Sequence, residues 1–161
     1  MDYLWSPWRY RYVTQAEPTG GCIFCIKASE NKDPENYVVY RGKLNFVLLN
    51  LYPYTSGHLM IAPYEHVATM ERAPAETLAE MMQLAQRAET NLRTAYRPEG
   101  FNIGMNIGAS AGAGIAGHIH LHVLPRWTAD ANFMTTVGET RVLPEELPAT
   151  YEKLAKLSWQ G

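Results

Sequence analysis

Three histidines, His118, His120 and His122, alternate with Ile119 and Leu121 in the stretch AGHIHLHVLPRW, residues 116–127. The chain has 5 histidines, so most of its imidazole lies in this one segment. Side chains two residues apart on a strand share a face. The imidazoles therefore line one face, while Ile119, Leu121 and Val123 line the other, the core face. The imidazole face looks onto a cleft, solvent or a ligand. A strand rises about 3.3 Å per residue, which sets the backbones of His118 and His122 roughly 13 Å apart. A zinc–nitrogen bond is only about 2 Å long. Three imidazoles on a straight strand do not converge on one ion, so the row divides into separate tasks. A hydrogen-bonded polar sheet face is the plain alternative, and strict alternation after a glycine-rich loop argues against it.

That loop is Gly108–Gly117, GASAGAGIAG. Small residues let backbone N–H groups turn toward an anion and form a nest for phosphate. A flexible hairpin connection is the competing reading. Beside an imidazole row, phosphate is favoured, and the chemistry becomes phosphoryl or nucleotidyl transfer with a histidine nucleophile. Neutral imidazole, with a reference pKa of about 6.5, is available near neutral pH. The 2 cysteines, Cys22 and Cys25 in GCIFC, read as half a metal site or a redox pair. Nothing around them resembles a thioredoxin-type strand–helix unit, and redox chemistry leaves the histidines unexplained.

Other elements must position these groups. The chain has 161 residues, 47% hydrophobic and 19% charged, which suits one domain with one sizeable core. That domain spans 1–161, with an aromatic arm at 1–21 (Tyr3, Trp5, Trp8, Tyr10, Tyr12) and an extension at 128–161. The net charge of −2 argues against a broad surface for nucleic acid or anionic membrane. No apolar run approaches the roughly 20 residues of a membrane span. The start, MDYLWSPWRYRYV, lacks the apolar centre of a signal peptide, so a reducing, cytoplasmic setting is expected. Strands are expected at 37–40 and 44–49, joined as a hairpin, and at 58–62. A helix is expected from Pro74 to about Arg97, with Leu78, Met81, Met82, Ala85, Ala88, Leu92 and Ala95 as its apolar stripe. A strand at 101–107 leads to the glycine loop and the histidine strand at 118–123. A short helix follows Pro144-Glu145-Glu146 and carries Leu147, Tyr151, Leu154 and Leu157. The pattern is α+β with a largely antiparallel sheet.

The stretch His118-Ile-His120-Leu-His122-Val-Leu resembles the His-x-His-x-His-x-x signature of the histidine-triad (HIT) superfamily. The likeness continues through Leu49-Asn50, Gly57-His58, Pro63-x-x-His66 and the C-x-x-C, covering about residues 20–127. Pro125-Arg126-Trp127, with Asn132-Phe133-Met134, is similar to the bacterial diadenosine tetraphosphate (Ap4A) phosphorylase-like branch. The resemblance implies an enzyme that cleaves Ap4A-like dinucleoside polyphosphates, or adenylylated small molecules, by hydrolysis or phosphorolysis. His120 would attack the α-phosphate and form a nucleotidyl-histidine. His122 would bind the phosphate and help the leaving group, with His58 beside it. Asn50 would bind the ribose and Asn106 a phosphate. Phe24, Ile26, Phe46 and Leu48 would form the slot for the base, and Trp127 could stack on a distal base. Relatives often carry Gln-Ser or Gln-Thr before the triad. Here Ala113-Gly114-Ile115 stands there, so backbone N–H groups around Gly112, Ala113 and Gly114 would take over the phosphate contacts. The resemblance also implies a structural zinc ion on Cys22, Cys25, His66 and His118, and a homodimer. A purine-nucleotide-binding regulatory protein with little turnover is the alternative that the same pocket allows.

Overall fold

The computed structural model describes residues 21–128, 130–131, 135 and 143–159. The aromatic arm and Asn132-Phe133-Met134 lie outside them. The elements run α1 (Ile23–Ser29), α2 (Asp33–Asn36), β1 (Val38–Arg41), β2 (Asn45–Leu49), β3 (Leu59–Pro63), α3 (Ala75–Tyr96), β4 (Gly100–Gly104), β5 (Leu121–Arg126) and α4 (Leu147–Ala155). The strands form one 5-stranded sheet in the order β1-β2-β3-β5-β4. All its pairings are antiparallel. The α+β expectation holds. No helix among the described residues is long and apolar enough to cross a membrane.

Period-two alternation gives the sheet two apolar faces. Val47 and Leu49 of β2, Leu59 and Ile61 of β3, and Leu121 and Val123 of β5 point to one side. There they meet Met81, Leu84, Ala85, Ala88 and Leu92 of α3, with Leu154 of α4 and Trp159 beyond it. Burying each large side chain contributes about 1.5–3 kcal/mol. The intervening residues Phe46, Leu48, Met60 and Ala62 point to the other side and join Val38 and Phe24 of α1 in a smaller cluster. The register sets Leu48 opposite Met60 and Met60 opposite His122, so His122 shares that second face.

Several expected boundaries move. The histidine strand is expected at 118–123, yet β5 begins at Leu121. Upstream, the Ile119 N–H donates to the Val67 carbonyl at 2.8 Å, and the Pro63 carbonyl accepts the His118 imidazole instead of a ladder bond. The alternation nonetheless survives: Ile119 still packs in the larger core. β4 stops at Gly104, opposite His122, rather than at 107. Tyr37 is not in a strand: it caps α2 in the left-handed region at φ 54. On α3, Leu84 takes the core position and Met82 is 53% exposed, because the apolar stripe turns away from 82.

Helix α1 is not among the expected elements. It has 7 residues, and Cys22 is its N-cap without a side-chain capping bond. Its carboxyl end is held from outside. Arg41 donates to the carbonyls of Lys27, Ala28 and Glu30 and pairs with Asp33 at 2.8 Å. These are the orphan carbonyls that a helix terminus leaves unpaired. The β1–β2 turn is tied to α3 in a similar way. Glu80 accepts the N–H groups of Lys43 and Leu44, both at 2.7 Å, and the Asn45 amide at 2.8 Å.

Candidate functional site

The row of histidines divides as its spacing requires. His118 turns toward α1, while His122 turns toward the loop before β3, with His120 between them. The Cys22 Sγ lies 3.4 Å from His118 Nδ1, and the Cys25 Sγ lies 3.6 Å from the same atom and 3.3 Å from His66 Nδ1. One ligand atom from each of Cys22, Cys25, His66 and His118 falls within 4.8 Å of all the others. Zn–S and Zn–N bonds of about 2.3 and 2.0 Å in a tetrahedron put ligand atoms about 3.3–3.8 Å apart. The cluster fits that geometry, and its soft two-sulfur, two-nitrogen donor set suits zinc. The second shell agrees. His118 Nε2 must donate to the Pro63 carbonyl at 2.9 Å, which leaves the Nδ1 lone pair facing the sulfurs. Burial pushes the Cys25 thiol up, and Cys22 adds to this. A coordinated cation reverses that and deprotonates the thiol.

His120 is 4% exposed. Its Nδ1 lies 2.9 Å from the His118 carbonyl, an acceptor only, so Nδ1 carries the proton. Nε2 then keeps its lone pair, as a nucleophile requires. Burial lowers the His120 pKa, partly offset by that backbone hydrogen bond, so the ring is neutral at pH 7.

His122 takes the opposite tautomer. The Tyr54 N–H donates to His58 Nδ1 at 3.2 Å, which places the proton of the neutral His58 ring on Nε2. That Nε2–H donates to His122 Nδ1 at 2.9 Å, so His122 carries its own proton on Nε2. Neighbouring imidazoles therefore present a lone pair and an N–H donor, with ring centres 4.9 Å apart. Burial, then the nearby His120, lower the His122 pKa to about 4. Tyr54 completes the arrangement with its ring 5.0 Å from His58 and 6.4 Å from His122.

The remaining expected residues divide. Phe24, Phe46 and Leu48 gather in the smaller buried cluster beside the histidines, whereas Ile26 is exposed and lies outside that cluster. Val38, Met60 and Ala62 complete the same cluster, a place that depends on cross-strand register. Asn50 turns inward: Oδ1 accepts the Tyr52 N–H at 2.9 Å, and Nδ2 reaches His58 Nδ1 at 3.4 Å. Asn106 is half-buried just ahead of the glycine loop. In that loop the Gly112 N–H bonds to Ala109 and the Ala113 N–H to Gly108, so these two amides serve the turn itself; Gly114 lies beyond it. Trp127 packs its edge against Tyr96 at 6.5 Å. Tyr54 and the Pro63 carbonyl escaped the sequence reading. The Tyr52-Pro53-Tyr54 run beside Gly57-His58 was the available signal for the first.

The HIT domain family model matches residues 31–129. An AP-4-A phosphorylase from Mycobacterium tuberculosis is 42% identical over 162 residues, covering 96% of this chain and 83% of the relative. Among solved structures, a Zn-bound histidine triad family protein from Mycobacterium smegmatis superposes with a TM-score of 0.69 at 29% identity, covering 84% of this chain and 91% of that one. A hypothetical histidine triad nucleotide-binding protein from Sulfolobus tokodaii gives a TM-score of 0.65 at 30% identity, covering 84% and 87%. With a triad of alternating imidazoles, opposed tautomers at His120 and His122, and a five-stranded antiparallel sheet behind them, this chain belongs to the HIT (histidine-triad) family.

Proposed function

We propose that this protein cleaves dinucleoside polyphosphates such as Ap4A at an α-phosphate, through a nucleotidyl-histidine on His120, with inorganic phosphate as the second nucleophile. The observation that carries the reading is the pair of opposed tautomers, the His120 Nε2 lone pair beside the His122 Nε2–H. In the first step the lone pair attacks the α-phosphorus, and an N–P bond forms. The bond to the bridging oxygen breaks as His122 supports that oxygen with its N–H, and ATP leaves. In the second step a phosphate oxygen attacks the same phosphorus, the N–P bond breaks, and ADP leaves with the imidazole regenerated. His58 holds His122 in the donating tautomer throughout.

The likeness to an AP-4-A phosphorylase supports phosphate over water as acceptor. Cys22, Cys25, His66 and His118 would hold a structural zinc ion, whose chemistry is to fasten α1 to the sheet. The likeness to a Zn-bound relative supports this. Metal analysis of protein purified without added zinc is expected to give about one ion per chain; a ratio near zero removes the zinc from the reading. A homodimer is part of the same reading on family resemblance, checked by mass in solution.

The deciding experiment is a product assay on Ap4A with and without phosphate. ADP plus ATP, formed only with phosphate, is the expected result. AMP plus ATP in both conditions would make the protein a hydrolase. Saturable nucleotide binding with no trapped nucleotidyl-histidine would replace catalysis with a binding role.

A further inference from the structure

Phe24 lies between the two cysteines of the C-x-x-C, on the first turn of α1. It is 2% exposed, and two of its ring contacts are not with ordinary core side chains. Its ring centre is 5.2 Å from that of His118 and 4.8 Å from that of His120, tilted by 48° and 37°. The same short helix thus supplies two sulfurs to the ligand cluster and one aromatic face to the reacting imidazole. Among the described residues the His120 ring makes one hydrogen bond, from Nδ1 to the His118 carbonyl, and meets the edge of His122. One hydrogen bond leaves an imidazole free to swing about it. A ring packed against the imidazole removes that freedom.

We propose that Phe24 is a positioning residue for the nucleophile: clamped by the cluster of Cys22, Cys25, His66 and His118, its ring braces His120 so that Nδ1 stays on the His118 carbonyl and Nε2 faces the phosphate. The metal cluster and the nucleophile are then joined twice. One link is the backbone of His118, which is both a ligand and the owner of the accepting carbonyl. The other is Phe24. This differs from a place in the base slot, where Phe24 would touch the purine and leave His120 alone. The proposal rests on His120 as nucleophile only for its kinetic consequence; the orientation of the ring is measurable without substrate.

The test uses the full-length, metal-loaded protein with 15N-labelled histidine and two variants, Phe24→Leu and the unbranched, more adaptable Phe24→Met. Nitrogen chemical shifts are expected to place wild-type His120 in the single Nδ1–H tautomer. In both variants, with metal content unchanged, the shifts should move toward the average of the two tautomers. Variants that keep the wild-type His120 shifts overturn the proposal, and so does loss of the metal from both, since Phe24 then serves the cluster rather than the imidazole. On Ap4A, kcat is expected to fall by on the order of 10- to 100-fold, the effect of displacing a reacting group by about 1 Å, with KM within about twofold. A raised KM at unchanged kcat overturns the proposal in favour of a base contact. If the wild-type protein releases nothing from Ap4A, the proposed reaction fails, and the nitrogen shifts alone decide the role of Phe24.

Discussion

On one face of the sheet, Val47, Leu49, Leu59, Ile61, Leu121 and Val123 meet α3 and α4 in a broad apolar core. On the other, Phe46, Leu48, Met60 and Ala62 meet the 7-residue α1, and buried histidines lie beside them. The first face is held by area. A long helix with a continuous stripe buries enough surface to hold itself in place, and loss of one side chain leaves the rest in register. The second face is held by chemistry: a cysteine–histidine cluster, an arginine on three carbonyls, and carbonyls that fix imidazole tautomers. The contrast teaches where function and stability separate, and substitutions can push on either side of it.

The largest expected effect is on the second face. His120→Ala removes the proposed nucleophile and should lower Ap4A turnover on the order of 1,000-fold or more. Its melting temperature and metal content should stay near the wild-type values; a large drop in either would mean the second face also carries global stability. On the first face, Leu59→Ala should cost about 2–5 kcal/mol in denaturant unfolding, because a fully buried leucine leaves a cavity. Metal content should not change. Equal loss of metal would show that the faces are not separable.

Acid should strain the second face first. The His122 pKa is lowered to about 4 by burial and by His120, against about 6.5 in the unfolded chain. The unfolded state therefore binds more protons between those values, and stability falls as pH drops through that window. The contribution is on the order of 3 kcal/mol at most. His122→Asn should flatten that part of the stability–pH curve, and an unchanged slope would assign the effect elsewhere. The smallest effect belongs to Glu80, which ties the β1–β2 turn to α3. Burial tends to raise its pKa, but the hydrogen bonds from Asn45, Leu44 and Lys43 outweigh that and lower it. Its contribution is complete above the unfolded pKa of about 4.3 and disappears as pH falls through the lower folded value. Glu80→Ala should cost about 1 kcal/mol after solvent screening, with turnover unchanged.

The same contrast explains what could be read from the sequence. α3 was legible because 22 residues carry a repeating stripe between Pro74 and Pro98, with only Leu84 added to that stripe and Met82 turned out of it. The histidines were legible because alternation needs no knowledge of partners. α1 was not, since a helix of 7 residues has too few turns to show a period and is held by groups as far as 96 positions away. The opposed tautomers were equally hidden. They depend on which carbonyl or N–H faces each ring, here Pro63, the His118 backbone and Tyr54. That Ile26 faces outward while Phe24 is buried has a related reason, because facing on a short helix is fixed by docking rather than by spacing.

β5 lies inside the sheet, between β3 and β4, with Leu121 and Val123 on one side and His122 on the other. A slip of one residue in its pairing would turn every one of these side chains over. The His122 imidazole would enter the apolar core while Leu121 and Val123 took the opposite face. Assembly errors in this strand thus cannot yield a sluggish or promiscuous enzyme; they yield an inert one. The specific activity of a preparation becomes a direct gauge of how faithfully its chains have folded.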